Sequence, residues 1–104
     1  MASLDAVFGA LADPTRRAIV ERLTAGEATV SELAAPFAMS LPAVVRHVRV
    51  LEDAGLLATR KEGRQRRCRL AEDPLRDAIA WMLHHGAFWE ERLDALEALL
   101  KSRR

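Results

Sequence analysis

Apolar residues recur at two different periods along this chain, and the change of period divides it into elements. Leu4, Val7, Phe8 and Leu11 fall at helical spacing and predict a short amphipathic helix. Asp13-Pro14 closes it and opens a second. The Asp carboxylate accepts from first-turn amides, and Pro suits a position that needs no amide partner. Ile19, Val20 and Leu23 form the buried stripe of this second helix, and Gly26 stops it. Thr29-Val30-Ser31-Glu32 has capping-box spacing and begins a third helix that turns Leu33, Ala34 and Phe37 inward. Pro36 falls deep within this helix and deletes a backbone hydrogen bond, so the helix is expected to be short and to end in a tight turn at Ala38-Met39. Ser40 caps a fourth helix. Its buried face is Leu41, Val44, Val45, Val48 and Leu51; Pro42, Ala43, Arg46, Arg49, Val50 and Asp53 occupy the other side, and Gly55 ends it.

The period then drops to two. Leu56 to Lys61 and Arg66 to Leu70 read as strands around the turn Glu62-Gly63-Arg64-Gln65. Arg66, Cys68 and Leu70 share one face of the second strand; with Leu70 toward the core, Cys68 is expected to be partly buried. Asp73-Pro74 repeats the earlier cap-and-start device. Helical spacing returns from Leu75 to Leu100, with a soft point at Gly86 and two apolar stripes. One stripe is Leu75, Ile79, Met82, Trp89, Leu93, Leu96 and Leu100; the other is Ala78, Trp81, His85, Phe88, Ala95 and Leu99. A single stripe is enough to pack a helix on its own domain. The second implies a further surface, most simply the same helix of another copy, with Leu4 and Phe8 of the first helix joining it. The expected fold is mainly α with a small two-stranded β-wing, in the order α-α-α-α-β-β-α.

Length and composition fit one globular domain over residues 1–104: half of the 104 residues are apolar and 30% are charged. No apolar run nears the roughly 20 residues that span a bilayer. Cys68, the single cysteine, has no partner for an intrachain disulfide, and a cytoplasmic location is the expectation. The net charge of +1 would not suggest nucleic acid, but its distribution does. Residues 40–70 hold eight basic side chains against three acidic ones, whereas the rest of the chain holds eight against twelve. A positive patch on an acidic body is the footprint that a phosphate backbone attracts. Two helices joined by a short turn, the second with small and basic residues facing out, match the helix-turn-helix arrangement.

The segments Asp13–Leu23 (DPTRRAIVERL), Thr29–Ala34 (TVSELA), Met39–Leu57 (MSLPAVVRHVRVLEDAGLL) and Glu62–Leu70 (EGRQRRCRL) together resemble the ArsR-type winged helix-turn-helix transcription regulators. The long C-terminal helix with Phe88, Trp89, Arg92 and Leu93 resembles the branch without metal-sensing residues. The resemblance implies a homodimer bound to a palindromic or nearly palindromic double-stranded DNA operator, commonly as a repressor. It implies a DNA-binding core over 3–71 and a dimerisation helix over 74–101. Ser40, Pro42, Ala43, Arg46, His47 and Arg49 would serve the reading helix. Arg60, Lys61, Arg64, Gln65 and Arg66 would serve the wing and flanking DNA. Leu4, Phe8, Trp81, His85, Phe88 and Leu99 would form the dimer interface. Pro42 and Val45 depart from the family pattern and take hydrogen-bonding capacity from the reading face, leaving base discrimination to Arg46 and to apolar contact with thymine methyls. Cys68 stands where the family often has an aromatic residue.

The same residues bear on other functions. A metal site on the third helix needs thiolates where this chain has Thr29 and Ser31. On the last helix the candidates are Asp77, His84, His85 and Glu90, but adjacent histidines point about 100° apart and cannot share one ion there. No metal and no cofactor are therefore expected. A lone Cys68 lacks a resolving partner for redox sensing. No phosphate loop, nucleophile elbow or paired-carboxylate arrangement suggests an enzyme. A metal- or redox-responsive sensor of the same fold, and a winged-helix interaction module without DNA, are the alternatives.

Overall fold

In a computed structural model of the chain, residues 3–102 are described. Four helices come first: α1 (Leu4–Leu11), α2 (Pro14–Leu23), α3 (Val30–Ala34) and α4 (Leu41–Asp53), with a two-residue strand β1 (Ala28–Thr29) before α3. The wing strands β2 (Leu57–Glu62) and β3 (Gln65–Leu70) follow, then α5 (Asp73–His84) and α6 (Gly86–Ser102).

Local chemistry sets most of these boundaries. Ser3 accepts from the Ala6 amide and Asp13 from the Arg16 amide, both at 3.0 Å; Thr29 and Glu32 close a reciprocal capping box. Gly55, at φ 77°, ends α4 in a Schellman motif. Its amide donates to Glu52 O and the Leu56 amide reaches back to Leu51 O, each at 2.9 Å. At the wing tip Gly63 takes φ 62° while Arg64 keeps a negative φ, the type II′ pattern of a two-residue hairpin.

The core lies among α1, α2, α3, α4 and the inner face of the sheet. Val7, Ile19, Leu33, Val44, Leu51, Leu56 and Cys68 are its largest fully buried side chains. The sheet is antiparallel in the order β1-β3-β2, so the expected two-stranded wing carries a short third strand, with Ala28 opposite Cys68 and Thr29 opposite Arg67.

Several expectations are corrected in detail. Pro36 lies beyond α3, which ends at Ala34, and interrupts no helical hydrogen bond. The buried stripe of α4 is narrower than expected: Val44, Val48 and Leu51 are buried, but Leu41 is 50% and Val45 38% exposed. Both lie at the edge of the stripe, beside the wing instead of over the core. Asp73 is the first residue of α5, and its N-cap, Glu72, makes no side-chain capping bond. The single C-terminal helix is two helices broken at His85, the residue before the expected soft point, because glycine at 86 lowers local helix stability. Cys68 is fully rather than partly buried: β1 pairs beside it, with Ala28 opposite, and α2 and α3 pack on β3.

Candidate nucleic-acid interface

α4 is positioned at both ends, by the Ser40 hydroxyl on the Ala43 amide (3.3 Å) and by the Gly55 motif. Val44, Val48 and Leu51 anchor one side. The opposite side presents Pro42, Arg46 and Arg49 to solvent, with Ser40 exposed just ahead of the helix and Ala43 half-buried. Among the described residues neither Arg46 nor Arg49 has an ion-pair or hydrogen-bond partner. Both guanidinium groups are available to an external anion.

His47 behaves differently from the other expected readers. Its ring is half-buried between α4 and the start of α2, with Nδ1 at 3.2 Å from Arg16 Nη1 and 3.8 Å from Asp13 Oδ2. Both groups converge on Nδ1, which holds the ring at the corner of α2 and α4. Arg16 also donates to Ala10 O (2.7 Å) and Gly9 O (3.3 Å), so this cluster ties α4 to the α1–α2 corner. The Asp13 carboxyl is held below the usual carboxylate range, first by the Arg16 amide that it caps.

The wing sorts its cations into two groups. On the outer face Arg60 and Arg67 are directly opposed across the strands. Carboxylates offset that repulsion: Arg60 pairs with Glu27 at 2.6 Å and Glu62 at 3.7 Å, and Arg67 with Glu62 at 2.6 Å. The Arg67 N–H bond pulls the Glu62 carboxyl below its ordinary value, and the same bond raises the Arg67 guanidinium. Lys61 and Arg64 are exposed and without such partners among the described residues. Arg66 meets no carboxylate; its Nη1 donates to Thr59 Oγ1 at 2.7 Å. Lys61, Arg64, Gln65 and Arg66 line one wall of a groove of about 420 Å³ whose other wall includes Leu41 and Val45 of α4. Of the expected wing residues, then, Arg60 is committed to acids and the other four converge on the groove.

Thr59, Glu52 and Glu27 were not foreseen. Period-two alternation puts Thr59 on the same face as Lys61, which is a usable signal. The pairing of Glu27 with Arg60 spans 33 residues and has no local signature.

A family profile described as "Helix-turn-helix domain" matches residues 11–60. The chain is 42% identical over 100 residues to the HTH-type transcriptional regulator Rv2034 of Mycobacterium tuberculosis, covering 96% of this chain and 91% of that protein. It is 35% identical over 78 residues to the transcriptional repressor SdpR of Bacillus subtilis, covering 75% and 87%. Among solved structures it resembles the ArsR family transcriptional regulator RHA00566, with a TM-score of 0.79 and 47% identity over 86% of this chain and 97% of that one. The chain belongs to the ArsR family of winged helix-turn-helix transcriptional regulators. It is a regulator and not an enzyme. Another similar structure is a homodimeric winged helix-turn-helix DNA-binding domain from Mycobacterium bovis, with a TM-score of 0.63 and 29% identity over 78% of this chain and 76% of that one.

In this ArsR-family regulator the second expected surface lies on α5 and α6. Leu75 and Ala78 pack α5 against the core, but from Ile79 onward both apolar stripes are exposed except at half-buried His85. Phe8 of α1 meets Trp81 edge-on at 6.1 Å, and His85 lies 4.7 Å from Trp81. Phe88 and Leu99 are about half exposed, with Arg92 stacked 4.6 Å over the Phe88 ring. Leu4 instead packs partly against the protomer's own core. The rings of His84 and His85 stand edge to face at 4.9 Å; among the described residues no group of three His, Cys, Asp or Glu side chains is arranged to hold a metal ion.

Proposed function

We propose that this regulator is a homodimeric, sequence-specific repressor in the cytoplasm, with α4 in the major groove and the β2–β3 wing on flanking DNA. The observation that carries the reading is the groove between α4 and the wing. There Lys61, Arg64, Gln65 and Arg66 face the exposed edge of α4 across a gap open to solvent. The unpaired Arg46 and Arg49 extend the same positive character along α4. Phosphate contacts from these cations supply affinity, and Arg46 supplies most base discrimination by bidentate pairing to a guanine edge. His47 is assigned to holding α4 in place, since its ring is engaged by Arg16, and Arg60 to stabilising the sheet.

Repression and dimerisation are supported by the names of similar proteins, a repressor in Bacillus subtilis and a homodimeric domain in Mycobacterium bovis. The exposed aromatic face of α5 and α6 supports the dimer independently. The palindromic operator follows from two-fold symmetry, with half-sites about 34 Å apart. The test is a comparison of two single variants on operator and random DNA. Arg46→Ala should lose about 1–3 kcal/mol of discrimination, whereas Arg64→Ala should weaken both DNAs alike. Equal losses on both DNAs for both variants would refute this division.

A further inference from the structure

Arg66 differs from every other wing cation in how it is held. Arg60 and Arg67 are neutralised by carboxylates, and Lys61, Arg64 and Arg69 are unpaired among the described residues. Arg66 is bonded to a neutral hydroxyl. Thr59 stands on the inner face of β2 opposite Cys68, which makes Arg66 its diagonal neighbour on β3. Thr59 Oγ1 accepts from Arg66 Nη1 at 2.7 Å and donates to Glu52 Oε2, in the last turn of α4, at 2.6 Å. A hydroxyl has one proton and two lone pairs. With the proton committed to Glu52, the lone pairs are left for Arg66, so the direction of the relay is set. Glu52 stands where a helix dipole disfavours an acid, and α4 has no basic residue in its last turn to compensate. The bond to Thr59 gives that carboxylate a partner.

We propose that Thr59 is a positioning residue for DNA binding, aiming Arg66 into the groove and locking the wing to α4 through Glu52. The proposal rests on the reading of the wing as a DNA contact. One hydrogen bond fixes the guanidinium while its positive charge and remaining donors stay available to a phosphate. Arg66 thus enters binding with its orientation already set, and less side-chain freedom is lost on contact. Because the far end of the relay is on α4, the spacing between wing contact and reading helix is set by one side chain.

The test is a binding cycle on operator DNA with Thr59→Val, Arg66→Ala and the double variant. Valine keeps the shape and removes the hydroxyl. Thr59→Val should weaken binding by about three- to tenfold, the range of one ordinary intramolecular hydrogen bond. The double variant should lose less than the sum of the two single losses, and Thr59→Ser should bind as the unmodified protein does. The Ser and Ala variants at position 59 repeat the comparison with the methyl absent from both, which covers the case in which valine perturbs the fold. Additive losses, or unchanged binding by Thr59→Val while Arg66→Ala binds weakly, would overturn the positioning role alone. Full binding by Arg66→Ala would overturn the wing contact itself, and this proposal with it.

Discussion

Cys68 illustrates how its neighbours decide a side chain's chemistry. Its place on β3 puts it beside the core, and β1, with Ala28 directly opposite, together with α2 and α3 leaves it no exposure. Burial pushes its thiol above the ordinary range, and the Glu52 carboxylate adds to that. The thiolate is the reactive form, so this cysteine is built for packing. The native protein should resist an aromatic disulfide reagent at neutral pH and release one thiol per chain only on unfolding; rapid labelling of the folded protein would show that β1 opens. His47 makes the same point for the reading helix. Sequence put it between basic residues on an outward face, but Asp13 and Arg16, more than 30 positions earlier, claim its ring.

At the scale of elements, the parts of the fold legible beforehand were those written in local chemistry. Asp13, Thr29 and Ser40 cap the helices they were expected to cap, and Gly55 and Gly63 adopt the left-handed backbone their turns require. What escaped was pairing across distance. β1 is too short to show a period, and its register with β3 has no local trace. The edges of the α4 stripe depend on where the wing lies, which is why helical spacing alone places Leu41 and Val45 in the core. The C-terminal segment was legible as helical and two-striped, but the break at His85 was not, because the helical spacing carries through it. Its exposed face bears the next prediction. Trp81 and Phe88 are 40% and 47% exposed on helices whose only substantial packing on the body runs through the start of α5. The unmodified protein should sediment at twice its 11.6 kDa chain mass, and replacement of both residues by Asp should give monomers. An unchanged dimer would place the interface elsewhere.

The whole molecule is elongated, 62 × 31 × 22 Å, with a radius of gyration of 17.7 Å against about 13 Å for a compact chain of this length. α6 accounts for much of the excess, running about 25 Å from the break at His85 and making no substantial contact with any element but α5. In the proposed complex such a shape leaves one end for a second copy and the α4–wing groove for DNA. Charge follows the same division, basic over residues 40–70 and acidic elsewhere. The net charge of +1 conceals this, so in the proposed function it is the unpaired cations and not the total that set the DNA contact. The most direct test is the salt dependence of binding to an operator recovered by genome-wide footprinting. Arg46, Arg49, Lys61, Arg64 and Arg66 give five cations per protomer with no carboxylate partner among the described residues, so a dimer should show a slope of log K against log salt of at most about −9, and about −4.5 if only half make contact. A slope flatter than about −1 would contradict binding through the α4–wing groove.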